Sequence, residues 1–135
     1  PYDCTFCDVI AFHSRKVREK SPEKIIAELK HIDERYKPNM VNLVDDLYFI
    51  NAKKARMVMD GLIQERPEFH WFANCRANML DSFDEDFMQL IYESGCRSII
   101  IGAESGSDRM LKSISKKITS DQITSAVEKL NRWNI

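Results

Sequence analysis

Met40-Val41-Asn42-Leu43-Val44-Asp45-Asp46 is a short, β-branched apolar run that ends in two carboxylates. It has two counterparts, His70-Trp71-Phe72-Ala73-Asn74-Cys75-Arg76 and Ser98-Ile99-Ile100-Ile101-Gly102-Ala103-Glu104. Their brevity and near-continuous apolar character predict strands over 40–44, 70–74 and 98–101. Val41 to Trp71 is 30 residues and Trp71 to Ser98 is 27, so one strand plus one helix recurs at a nearly fixed period.

The segments between these runs carry helix signals. Over 21–36, Ser21 is an N-cap, Pro22 occupies the first helical position and Glu23 complements the positive end of the dipole. Ile25, Ile26, Leu29, Ile32 and Tyr36 then share one face, which predicts core packing. A second helix is capped by Asn51, carries Ala55, Val58, Met59, Leu62 and Ile63, and ends before Pro67. A third opens at 81–84 with Phe87, Leu90 and Ile91 inward and Gly95 as a left-handed terminus. The last begins with a capping box, Thr119 and Gln122, and is expected to bury Ile123, Val127, Leu130 and Trp133. Buried strands alternating with amphipathic helices predict an α/β fold of repeated βα units. Its sheet would be parallel, either open and doubly wound or part of a barrel. Right-handed crossovers place every strand's carboxyl end on one rim.

Composition narrows the function classes. The 135 residues, 15.8 kDa and 44% apolar, suffice for one domain. With 20 basic against 21 acidic residues there is no Lys/Arg surplus, and no nucleic-acid partner is expected. No run of about 18 apolar residues and no signal-peptide pattern occurs, so no membrane partner is expected and a cytoplasmic location is. The four cysteines are too few for a disulfide scaffold and point to metal or redox chemistry. Because Pro1 is followed at once by Tyr2-Asp3-Cys4, the chain reads as a cut through a motif, and 1–135 is expected to be a single-domain fragment.

On the rim, the strands end in Asp45-Asp46, in Asn74-Cys75-Arg76 and in Gly102-Ala103-Glu104-Ser105-Gly106. Ligands bind at this rim in open α/β sheets and βα barrels alike. Its groups suit a zwitterion with hydroxyls: Asp for an ammonium, Arg for a carboxylate, Glu or Ser for ribose. Taken singly, each is also an ordinary loop residue, and Arg76 alone reads equally as a surface ion pair. Cys4-Thr5-Phe6-Cys7 is a Cys-x-x-Cys pair of the kind found in zinc knuckles, redox loops and iron-sulfur sites. A four-thiolate zinc site would also need Cys75 and Cys96, which the strand assignment puts on opposite rims. Cys96 reads as a plain buried thiol.

Together, Pro1-Tyr2-Asp3-Cys4-Thr5-Phe6-Cys7, Ser21-Pro22-Glu23, 41–46, Arg76 and Gly102-Ala103-Glu104-Ser105-Gly106-Ser107 resemble the radical S-adenosylmethionine (SAM) enzymes along essentially the whole chain. The first loop is similar to their Cys-x-x-x-Cys-x-x-Cys motif, whose first Cys would immediately precede Pro1. The subgroup most resembled often carries an upstream cobalamin-binding domain and includes the anaerobic magnesium-protoporphyrin IX monomethyl ester oxidative cyclases. Methylthiotransferases resemble it more distantly. The resemblance implies a partial, TIM-like barrel of which this chain is the central part. It implies a 4Fe-4S cluster with one iron open to SAM, and cobalamin in the full-length protein. The cluster's electron would cleave SAM to a 5′-deoxyadenosyl radical that abstracts hydrogen from a small-molecule substrate, with oxidative cyclisation of a tetrapyrrole as one outcome. Methyl or methylthio transfer is the alternative. A ferredoxin or flavodoxin would supply the electron.

Carried over by position, Cys4 and Cys7 are implied as cluster ligands and Phe6 as a neighbour of adenine. Asp45 and Asp46 replace the Gly-Gly-Glu of many members and would receive the SAM ammonium. Arg76 would meet the SAM carboxylate, and Glu104 with Ser105 the ribose or the amino-acid end. One ligand Cys and the later strands would be missing, so the fragment alone is expected to be inactive and to self-associate through open strand edges. Two other readings use the same residues. One is a Mg²⁺ enzyme built on Asp45, Asp46 and Glu104, and the other is a zinc-stabilised interaction module. Arg15, Lys16 and Arg18 read as a solvated basic loop, His13, His31 and His70 as structural, and Met57, Met59, Met79, Met88 and Met110 as gap-fillers. Trp71 faces either the helices or the barrel interior.

Overall fold

A computed structural model of the chain describes residues 2–9 and 16–135; His13 and Arg15 lie outside them. Three parallel strands, β1 (Met40–Leu43), β2 (His70–Cys75) and β3 (Cys96–Ile101), form one sheet in the order β1-β2-β3. Helix α1 (Pro22–Tyr36) precedes β1, and α2 (Ala52–Glu65) connects β1 to β2. Helices α3 (Ala77–Ser82) and α4 (Glu85–Glu93) connect β2 to β3, and α5 (Asp108–Ser113) and α6 (Ser120–Arg132) follow β3.

The caps form as the sequence predicts. Ser21 accepts from the Lys24 amide, Asn51 from Lys54, and Asp84 from Phe87. Thr119 and Gln122 close both hydrogen bonds of the capping box. Gly95 adopts φ +93°, where a side chain would be strained. It turns α4 into β3 while its carbonyl accepts from the Trp71 amide.

Register places Val41 beside Trp71, Phe72 beside Ser98 and Cys75 beside Ile101, with an irregularity at Trp71/Phe72. Alternation along β2 buries Trp71, Ala73 and Cys75 on the helix-covered face and leaves His70 exposed on the other. Trp71 thus faces the helices: its ring packs against Tyr48 and Phe49, and its indole N–H donates to the Ser94 carbonyl. Phe49 extends this cluster to Phe83 and Phe87. Full burial of such side chains stabilises by about 1.5–3 kcal/mol each.

Several boundaries and burial assignments differ from expectation. Val44 lies past β1 and is 83% exposed. Cys75 is the last residue of β2 and Cys96 the first of β3. Tyr48–Ile50 forms a 3₁₀ turn that puts Tyr48 and Phe49 into the core, and α3 and α5 add short helices. None of the three has the length or apolar period that marks a helix in sequence. Val127 and Tyr36 are exposed, because α6 turns Ala126, Lys129 and Leu130 inward and α1 buries only Leu29. Lys129 is buried because its ammonium donates to the carbonyls of Leu80, Asp81 and Phe83, capping the end of α3. Of the methionines expected as gap-fillers, Met59 and Met88 are buried and Met79 partly so, but Met57 and Met110 are exposed.

Candidate functional site

The carboxyl ends of all three strands open into one cleft of about 950 Å³. Phe6, Asp45, Asp46, Arg76, Glu104, Cys4 and Cys7 all line it; Ser105 does not. The Ser105 hydroxyl instead accepts from the Ser107 amide in the turn leading to α5. Lys16 and Arg18, exposed in sequence-predicted fashion, border the same cleft.

The cysteine loop is held in place by residues distant in sequence. Cys7 N–H donates to the Cys4 carbonyl at 3.2 Å, forming the turn, and Thr5 N–H donates to the Ile114 carbonyl at 3.0 Å. Asp3 pairs with Lys117 at 2.8 Å. The segment between α5 and α6 therefore serves as the seat of the loop. Cys4 is buried and Cys7 half-buried.

Arg76 sits at the junction of β2 and α3 and is 9% exposed. Its Nε donates to Asn78 Oδ1 at 3.3 Å, one terminal nitrogen to the Lys116 carbonyl, and the other to Cys4 Sγ at 3.7 Å. The guanidinium carbon lies 3.9 Å from the centre of the Tyr2 ring. Arg76 is thus neither a surface ion pair nor a free fork aimed at open solvent.

Lys116, which sequence reasoning passed over, is a second cation in the cleft. It is buried, pairs with Glu104 Oε1 at 2.8 Å, and lies 5.6 Å from the Phe6 ring centre. Glu104 occupies the left-handed region at φ 61°, which costs a non-glycine residue about 1 kcal/mol or more. That conformation returns its carboxylate over Gly102, where an added Cβ would come within 2.9 Å of both Glu104 Oε1 and Lys116 Nζ. A side chain there would make the tips of Glu104 and Lys116 shift.

Across the cleft, Asn74 donates to the Asp45 carbonyl at 2.8 Å and ties the ends of β1 and β2 together. Burial, then the charges of Asp46 and Glu19, hold the Asp45 carboxyl above the usual carboxylate range. Adjacent carboxylates that repel one another favour an incoming cation. The Tyr48 hydroxyl, buried beside the cleft, has no hydrogen-bond partner among the described residues.

Cys75 borders the cleft that Cys4 and Cys7 line, and Cys96 does not. Cys75 and Cys96 sit at opposite ends of the sheet, and burial pushes both thiols up to about 12. Among the described residues no group of three or more His, Cys, Asp or Glu is placed to hold a metal. Neither a four-thiolate zinc site nor an Asp45–Asp46–Glu104 oxygen site is therefore assembled from them. The thiols of Cys4 and Cys7 do fit a share of an iron-sulfur site: they are soft ligands at the cleft wall, and an Arg76 N–H is directed at Cys4 Sγ.

The profile of the Radical SAM superfamily matches residues 1–135. The chain belongs to that superfamily. An uncharacterized methyltransferase of Pyrococcus horikoshii is 30% identical over 135 residues, covering 100% of this chain and 29% of that protein. The hopanoid C-2 methylase of Rhodopseudomonas palustris is 31% identical over 118 residues, covering 86% of this chain and 22% of the methylase. Among solved structures, the cobalamin-dependent SAM radical enzyme OxsB with aqua-cobalamin bound superposes with a TM-score of 0.75 at 21% identity, covering 87% of this chain and 19% of OxsB. This radical SAM chain thus spans less than a third of the curated relatives it matches. Its parallel sheet and helices share the OxsB fold and are consistent with a partial barrel. Among its described residues, no helix is long and apolar enough to cross a membrane.

Proposed function

We propose that this chain is the cofactor-binding core of a cobalamin-dependent radical SAM methyltransferase. The observation that carries the reading is the meeting of Cys4 and Cys7 with carboxylates and cations in one cleft at the strand ends. Methyl transfer is favoured over tetrapyrrole cyclisation because the relatives that match are named methyltransferases or methylases. Cobalamin enters through the likeness to OxsB.

Cys4 and Cys7 would hold part of a 4Fe-4S cluster, which when bound supplies the electron that cleaves the carbon–sulfur bond of SAM. The protein's own residues bind and orient. Asp45 and Asp46 offer charge to the SAM ammonium, and Lys116, paired with Glu104 in the cleft, offers a cation to its carboxylate. Arg76 adds positive field from behind the cysteine loop. Glu104 can exchange Lys116 for ribose hydroxyls, and Phe6, half-exposed at the wall, offers a face to adenine. Aromatic and aliphatic walls keep water from the reacting centre. A small-molecule acceptor and a low-potential donor such as a ferredoxin or flavodoxin complete the proposal.

The test is anaerobic reconstitution of the holoprotein with iron, sulfide and cobalamin, followed by incubation with SAM labelled at the methyl group. About four irons per chain, reductive SAM cleavage and label transferred to an acceptor are expected. Cleavage without label transfer would favour cyclisation, and well-folded protein without iron would reject the reading.

A further inference from the structure

We propose that Arg76 is a positioning residue that fixes Cys4 and raises the reduction potential of the cluster its thiolate would help to hold; this rests on the cluster-binding reading above. Arg76 is a buried cation that meets Asn78, the Lys116 carbonyl, Cys4 and the face of Tyr2, and none of these is a carboxylate. A desolvated charge is costly unless an opposite charge meets it. Lys116, the neighbouring buried cation, has Glu104 for that purpose. Among the contacts of Arg76 with described residues, the group able to carry negative charge is the Cys4 sulfur 3.7 Å away.

The mount is rigid. The Arg76 carbonyl accepts from the Met79 and Leu80 amides, making it the entry residue of α3. The far end of α3 is tied down by Lys129 and by Ser125, whose hydroxyl donates to Asp81 at 2.5 Å. The guanidinium plane is fixed at its edge by hydrogen bonds and at its face by Tyr2, so one N–H is committed to Cys4. Hydrogen bonds and positive charge at a ligand sulfur stabilise the more electron-rich state of an iron-sulfur cluster. Removing them should therefore lower the midpoint potential.

The experiment is potentiometry, monitored by electron paramagnetic resonance, of the anaerobically reconstituted holoprotein and of its Arg76→Met, Arg76→Lys and Tyr2→Leu variants. Arg76→Met is expected to lower the midpoint by about tenfold in the reduced-to-oxidised ratio, about 59 mV for a one-electron couple. Arg76→Lys should recover part of the loss, since it keeps the charge but not the fork or the stacking. Tyr2→Leu should shift the midpoint the same way by less. An Arg76→Met protein with full iron content and an unchanged midpoint would overturn the proposal. If that variant does not fold or hold iron, unchanged midpoints in both Arg76→Lys and Tyr2→Leu overturn it equally. Wild-type protein that binds no cluster would reject the proposed function itself, and this inference with it.

Discussion

Cys75 and Cys96 lie within the sheet under apolar cover, whereas Cys4 and Cys7 lie on a loop at the strand ends, with the Arg76 guanidinium against one of them. The first pair has the more regular backbone and the second the more useful surroundings. Burial outweighs the nearby Arg76 and Arg97 charges, makes the thiolate unfavourable and leaves Cys75 and Cys96 as small apolar side chains. Cys4 differs in its geometry, because an Arg76 N–H is directed at its sulfur from 3.7 Å.

The sharpest way to break this contrast is to remove each thiol in turn and measure iron after anaerobic reconstitution. Cys4→Ala or Cys7→Ala should lose most of the bound iron, while Cys75→Ala and Cys96→Ala should retain it. Equal losses from both pairs would end the distinction. A smaller effect is expected in alkylation of the metal-free protein at pH 8. Raising a thiol from 9.0 to about 12 lowers its thiolate fraction at that pH by about a thousandfold, so Cys75 and Cys96 should resist labelling until the protein unfolds. Cys7, half-buried on the loop, should label in the native state. Mass spectrometry of labelled peptides separates the positions.

The smallest effect concerns the far wall of the cleft, where partial burial and the charges of Asp46 and Glu19 act on the Asp45 carboxyl. The folded state holds the Asp45 carboxyl above its ordinary value, so the folded protein binds more protons than the unfolded one in that window. Stability should therefore fall as pH rises from the ordinary carboxylate range through the raised value of Asp45. Asp45→Asn should match wild type in acid and slightly exceed it at neutral pH. Urea midpoints at the two pH values check the sign.

The pattern of legibility follows the range of the interactions. Caps at Ser21, Asn51, Asp84 and Thr119 were readable because donor and acceptor lie three residues apart. The βα period was readable because strand and helix faces repeat locally. The 3₁₀ turn carrying Tyr48 and Phe49 was not, since its aromatic residues are buried by Trp71, Phe83 and Phe87 rather than by any local pattern. Lys129 likewise reads as a solvent-facing residue until the carbonyls at the end of α3, 46 to 49 residues earlier, are brought to it.

For the site, the sequence by itself determined the inventory: a Cys-x-x-Cys loop, carboxylates after β1 and β3, an arginine after β2 and one rim to hold them. Only the tertiary structure decided which group faces which. Cys4 meets Arg76 across 72 residues, and Arg76 meets the Lys116 carbonyl across 40. Lys116, in turn, takes Glu104, the partner that an isolated reading of the rim left to the ligand. Local hydrogen bonds and periodicity are written into neighbouring residues, so they survive in the bare chain. Charge pairing in a desolvated cleft depends on distances that only the closed fold sets.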